Sequence, residues 1–196
     1  RDSDTIRLIA VAKKQPETRI QAALDAGHRE FGENRVQEAQ EHWQDRRAYY
    51  PDLRLHLLGP LQTNKVKEAT TLFDVIHTLD RAKLVDKLAQ YSYSGECLIQ
   101  VNTGEEPQKS GIIPDELDDF YHYCARDKGL NITGLMCIPP LDEPASLHFA
   151  LVNKLAARIG VAALSMGMSR DYDEAITLGA TYLRIGTGIF GARETG

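Results

Sequence analysis

IRLIAVAKKQPETRIQAALDAG, residues 6–27, holds one strand, one helix and a stop. Ile6–Lys13 is a short apolar run rich in β-formers. Pro16 has its backbone angle pre-set for the first helical position, and Gly27 is a natural C-terminal stop for a helix ending at Ala26. The unit recurs. Arg29–Gly32, Leu53–Gly59, Phe73–Leu79, Cys97–Val101, Ile132–Ile138, Ala162–Met168 and Tyr182–Gly186 are further strand candidates. Helical stretches separate them, including Asn34–Arg47, Arg81–Tyr91 with Asp80 as its expected cap, Pro114–Lys128 and Ser146–Ile159.

Strands alternating with helices imply parallel strands joined by helical crossovers. Several runs are apolar throughout, as strands covered on both faces require. Eight such units favour a closed barrel over an open sheet, so residues 1–196 are expected to form a single (β/α)8 barrel of the TIM type. The 196 residues sit near the lower length limit of that fold, which leaves short loops and no second domain.

Composition narrows the function. A net charge of −5 argues against nucleic acid, which is met by a basic field. Cys97, Cys124 and Cys137 are odd in number and widely spaced, which points to a reducing, cytoplasmic setting rather than a disulfide framework. The histidines lack metal-ligand spacing. No apolar run is long enough to span a bilayer.

Barrel enzymes of this type keep their sites at the C-terminal strand ends, often with a phosphate after strands seven and eight. There the sequence supplies Leu164-Ser165-Met166-Gly167-Met168-Ser169-Arg170-Asp171 and Arg184-Ile185-Gly186-Thr187-Gly188-Ile189-Phe190-Gly191. Glycines let backbone amides approach an anion, and Ser169 and Thr187 add hydroxyls. Gly186–Gly191 also matches G-x-G-x-x-G. A dinucleotide site would need a further helix, a strand and an acidic residue after it, and the chain reaches only Gly196.

Lys13 and Lys14 end the first strand. A desolvated lysine at a strand's C-terminal end can attack an aldehyde to give a Schiff base. Alternation puts Lys13 with Arg7, Ile9 and Val11, and Lys14 with Leu8, Ala10 and Ala12, without choosing between the two faces. Arg184 shares a face with Gly186. If Gly186 faces the mouth, Arg184 points inward and needs an acceptor, because an unpaired buried guanidinium is costly. A pyridine nitrogen would serve; a structural ion pair is the alternative.

Taken together, Ala10-Val11-Ala12-Lys13, Phe31-Gly32-Glu33-Asn34, His56–Lys65, Gln108-Lys109-Ser110-Gly111, Leu164–Ser169 and Arg184–Thr187 with Phe190-Gly191 resemble the pyridoxal-phosphate homeostasis protein family, the YggS/PROSC type. The resemblance covers nearly the whole chain. It implies a barrel like the alanine racemase N-terminal domain and pyridoxal 5'-phosphate (PLP) as cofactor. It implies Lys13 as the Schiff-base lysine, with Ser169, Gly186 and Thr187 at the phosphate and Arg184 near the pyridine nitrogen. Asn34 and His56 fall on motif positions lining the pocket. The family usually has Ser and Thr where this chain has Ala12 and Lys14. It also carries a helix ahead of the first strand that this sequence lacks, so an open barrel floor is expected.

An arginine at the ring nitrogen disfavours its protonation and weakens the ring as an electron sink. The resemblance therefore implies a carrier or regulator of intracellular PLP (vitamin B6) without robust catalysis. Apo-enzymes using PLP are candidate recipients, and the chain is expected to be a monomer or weak homodimer. A racemase-like PLP enzyme and a Schiff-base aldolase or isomerase on a phosphorylated substrate remain open alternatives.

Overall fold

A computed structural model describes residues 5–191. Eight strands form a closed barrel in chain order, and every neighbouring pair is parallel. They are β1 (Arg7–Val11), β2 (Glu30–Glu33), β3 (Arg54–Leu57), β4 (Val75–Leu79), β5 (Glu96–Val101), β6 (Asn131–Cys137), β7 (Ala163–Ser165) and β8 (Tyr182–Ile185). The intervening helices are α1 (Glu17–Asp25), α2 (Val36–Trp43), α3 (Val66–Leu72), α4 (Ala82–Gln90), α5 (Leu117–His122), α6 (Ala145–Ile159) and α7 (Tyr172–Thr177). A one-turn helix, α8 (Thr187–Phe190), follows β8. None of the described helices is long and apolar enough to cross a membrane.

Period-two alternation sorts the apolar residues into two shells. Ala10, Phe31, Leu57, Ile76, Ile99 and Leu135 belong to the large core between sheet and helices. Ile9, Leu58, Val75, Leu98, Met136 and Tyr182 fill the barrel itself. The closing register pairs Ile9 with Arg184. That pairing fixes the faces of β1: Ile9 and Val11 pack in the inner cluster, while Ala10 and Ala12 pack in the outer one.

Gly134 in β6 shows how tight the closure is. A Cβ there would lie 1.9 Å from the Ala163 carbonyl oxygen of β7. Backbone cannot rotate aside, so Gly134→Ala is expected to cost about 3 kcal/mol or more, measured by denaturant unfolding.

Two local expectations are corrected. Asp80 does not cap α4. The N-cap is Arg81, without a side-chain capping bond, and the Asp80 carboxylate takes the adjacent Arg81 guanidinium instead. The seventh strand ends at Ser165 rather than Met168. Gly167 turns the chain at φ +91°, and the Met168 amide donates to the Asp171 carboxylate at 2.6 Å. At the barrel floor, partly exposed charges pair with one another. Arg7 pairs with Glu30 at 3.1 Å, Arg54 pairs with Glu96, and the Tyr182 hydroxyl donates to Glu96 at 3.4 Å. These charges enter the barrel end because they satisfy one another there.

The Glu33 carboxylate is fully buried and ties α2 to β2. It accepts hydrogen bonds from His42 Nδ1 at 2.8 Å and Trp43 Nε1 at 3.0 Å. Cys97, Cys124 and Cys137 are free and buried.

Candidate functional site

A cavity of about 550 Å³ opens at the C-terminal strand ends. Its size falls within the range of small-molecule sites. Lys13 reaches it from beyond β1, Asn34 from beyond β2 and Leu58 from beyond β3. Ile138, Pro139 and Pro140 follow β6 and form one wall. Ser169 comes from the turn after β7, Gly186 and Thr187 from the turn after β8, and Arg184 from within β8.

The fold separates the two lysines. Lys13 continues the inward face of β1, is half-buried and lines the cavity. Lys14 sits at φ +55° and is exposed, and the cavity lining does not include it. Lys13 also lines a second cavity of about 700 Å³ beside the first, with Arg35, Lys65 and Arg81. The described lining of that vestibule carries no acidic residue, but Arg35, Lys65 and Arg81 pair with Glu38, Glu68 and Asp80 just outside it.

The turns after β7 and β8 meet. The Thr187 hydroxyl lies 3.1 Å from that of Ser169, and both side chains are exposed. The amides of Thr187 and Gly188 open α8 and so have no acceptor within the helix. Two hydroxyls and free amides converging on one end of a cavity suit an anion.

Arg184 lies under the cavity, 6% exposed. Its Nη1 donates to Ser165 Oγ at 2.7 Å and its Nη2 to the Cys137 carbonyl at 2.8 Å. Burial lowers its pKa from the ordinary value, although arginine keeps its proton in proteins. Among the described residues it takes part in no ion pair, contrary to the structural-pair alternative. From Ser165 the contacts run on: His77 Nδ1 lies 2.8 Å from Ser165 Oγ, and His77 Nε2 lies 2.9 Å from His56 Nδ1. His56 Nε2 then meets Glu30 Oε2 at 2.5 Å.

Lys13, Asn34, Ser169, Arg184, Gly186 and Thr187 are thus brought together around one cavity. His56 is not. It is fully buried one step deeper in the barrel, and Leu58, just beyond β3, takes the lining position. Sequence reading missed His77, Ser165 and Glu30 as a group. Alternation signals two of them: Ser165 stands two residues before Gly167, and His77 two after the inward Val75.

Fold and cavity together define a (β/α)8 barrel of the alanine racemase N-terminal type. The family model "Alanine racemase, N-terminal domain" matches residues 6–194. The pyridoxal phosphate homeostasis protein of Pseudomonas aeruginosa is 39% identical over 207 residues, covering 100% of this chain and 88% of the relative. PipY of Synechococcus elongatus PCC7942, solved with PLP bound, is 36% identical with a TM-score of 0.84, covering 97% of this chain and 95% of that one. The same protein without PLP gives 37% identity and a TM-score of 0.87, covering 96% and 94%. The chain belongs to the pyridoxal phosphate homeostasis protein family.

Proposed function

We propose that this protein binds PLP through Lys13 and serves intracellular vitamin B6 homeostasis as a carrier or regulator rather than as an enzyme. The observation that carries this reading is one cavity with an amine at one edge, a buried arginine beneath it and a hydroxyl-and-amide turn opposite. The residues fit the cofactor. Arg184 is a buried donor pointing at a cavity, and a pyridine nitrogen is an acceptor.

When bound, the cofactor supplies an aldehyde for an amine to capture. Lys13 presents that amine at the end of β1. Ser169, Thr187 and the amides opening α8 hold the phosphate. Asn34 and Leu58 border the site from β2 and β3.

Arg184 cannot accept a proton, so it favours an unprotonated ring nitrogen and limits carbanion chemistry. Among the described lining residues the acid–base candidates besides Lys13 are the Glu143 and Asp171 carboxylates, with no tyrosine, histidine or cysteine. The PLP-bound PipY structure and the names of the relatives support the same reading. Apo-enzymes that use PLP are the proposed recipients, and the free, buried cysteines suit a cytoplasmic setting.

Titration with PLP and with pyridoxal, which lacks the phosphate, tests the site. The phosphorylated form should bind at least about tenfold tighter, and Ser169→Ala with Thr187→Ala should erase most of that difference. Equal affinities in the wild type would overturn the assignment. Exchange of the alanine α-proton in heavy water should proceed no faster than with free PLP.

A further inference from the structure

The contacts below the cavity have a direction. Arginine only donates, so Ser165 Oγ accepts from Arg184. The Ser165 hydroxyl proton can then go to His77 Nδ1. His77 keeps its own proton on Nε2 and donates it to His56 Nδ1. His56 in turn carries its proton on Nε2 and donates it to the Glu30 carboxylate.

The reverse order would need a protonated Glu30. Burial raises the pKa of that carboxyl, but His56, Arg54 and Arg7 outweigh it and hold the value below normal. Burial pushes His56 down despite Glu30. His77 goes well below the usual range through burial, with the His56 and Arg184 charges adding to it. Of the arrangements that satisfy every contact, two neutral imidazoles with the same tautomer are the one that keeps both buried rings uncharged and Glu30 ionised.

We propose that Ser165, His77, His56 and Glu30 form a one-way hydrogen-bond relay that orients Arg184, which makes Glu30 a positioning residue for a cofactor it does not touch. Glu30 starts β2, and Asn34 at the cavity lies four residues on, about 13 Å farther along the chain, so Glu30 stands well away from the cavity. Arg184 is a buried cation without a carboxylate partner among the described residues. The relay connects it to one, since polarised hydrogen bonds reinforce each other in a low-dielectric interior. Around Glu30 stand Arg7 at 3.1 Å and Arg54 at 3.8 Å, and Arg54 is itself held by Glu96. The effect on the cofactor rests on the PLP reading above; the relay itself does not.

Two measurements on the full chain separate those layers. Nitrogen-15 NMR of the imidazoles at neutral pH, without cofactor, should find both His56 and His77 neutral with the proton on Nε2. His56→Gln and His77→Gln assign the signals. A charged ring, or a proton on Nδ1 of either, overturns the relay whatever the cofactor does.

The second measurement loads PLP. Glu30→Gln and Ser165→Ala should each weaken binding about tenfold and shift the visible band, while Ser165→Thr, which keeps the hydroxyl, restores both. If wild type loads on Lys13 but both variants bind within about twofold of it with an unmoved band, the positioning role is overturned. A wild type that never loads sinks the cofactor reading instead and leaves the NMR result to decide the relay.

Discussion

Lys13→Ala should give a colourless protein from which borohydride traps no cofactor adduct. Wild type, reduced with borohydride and mapped by mass spectrometry, should carry the label on Lys13 alone. The phosphate turn and Arg184 survive in the variant, so PLP still enters the cavity, but without a covalent link. The expected loss of affinity is roughly a hundredfold or more, about 2.7 kcal/mol, enough for the cofactor to wash away on gel filtration. Lys14→Ala is the control. Lys14 is exposed at φ +55° and does not line the cavity, so its removal should leave both colour and label intact. Label on Lys14, or colour retained in Lys13→Ala, would refute the assignment.

The barrel was readable because each strand candidate runs into its own punctuation: Pro16 after the first, Pro114 after the fifth, Gly179 before the eighth. Those marks act locally, so a linear reading finds them. The choice between Lys13 and Lys14 was not local. Alternation gave their opposite faces, but only the β1–β8 register, with Ile9 beside Arg184, says which face is inside. The family resemblance had already pointed to Lys13, and the closure supplies a physical reason.

His56 shows the opposite limit. Its motif position suggested a lining role, yet an inward side chain two residues earlier on a strand sits about 6.6 Å deeper. Leu58 occupies the rim, and His56 drops into the polar interior. That interior gathers single residues from β2, β3, β4, β7 and β8. No spacing along the chain predicts such a meeting, because it exists only once the barrel closes.

Gly59→Ala should damage fold and site together. Gly59 is buried just beyond β3, where a Cβ would lie 2.1 Å from the Asn34 carbonyl oxygen, 2.8 Å from its carbon and 2.9 Å from Cα. All three are backbone atoms, so no rotamer change relieves the contact. The loop cannot simply retreat. The Gly59 carbonyl accepts a buried bond from Thr78 Oγ1 at 2.8 Å, and the Leu58 amide donates to the Glu33 carbonyl at 2.8 Å. The added methyl must therefore part the β2 and β3 ends and carry Asn34 and Leu58 off the cavity rim. Overpacking of this kind costs about 2–3 kcal/mol, which in a chain of this length lowers the melting midpoint by about 4–12 °C. PLP affinity should fall about tenfold, because two bordering residues move at once. Gly32→Ala is the informative contrast. Its Cβ would approach Leu58 Cδ1 at 2.4 Å and Ile9 Cγ2 at 2.8 Å, which are side-chain atoms that can shift. Its thermal penalty should be the smaller of the two. A Gly59→Ala protein that melts and binds like wild type would mean that the two loops are not locked together.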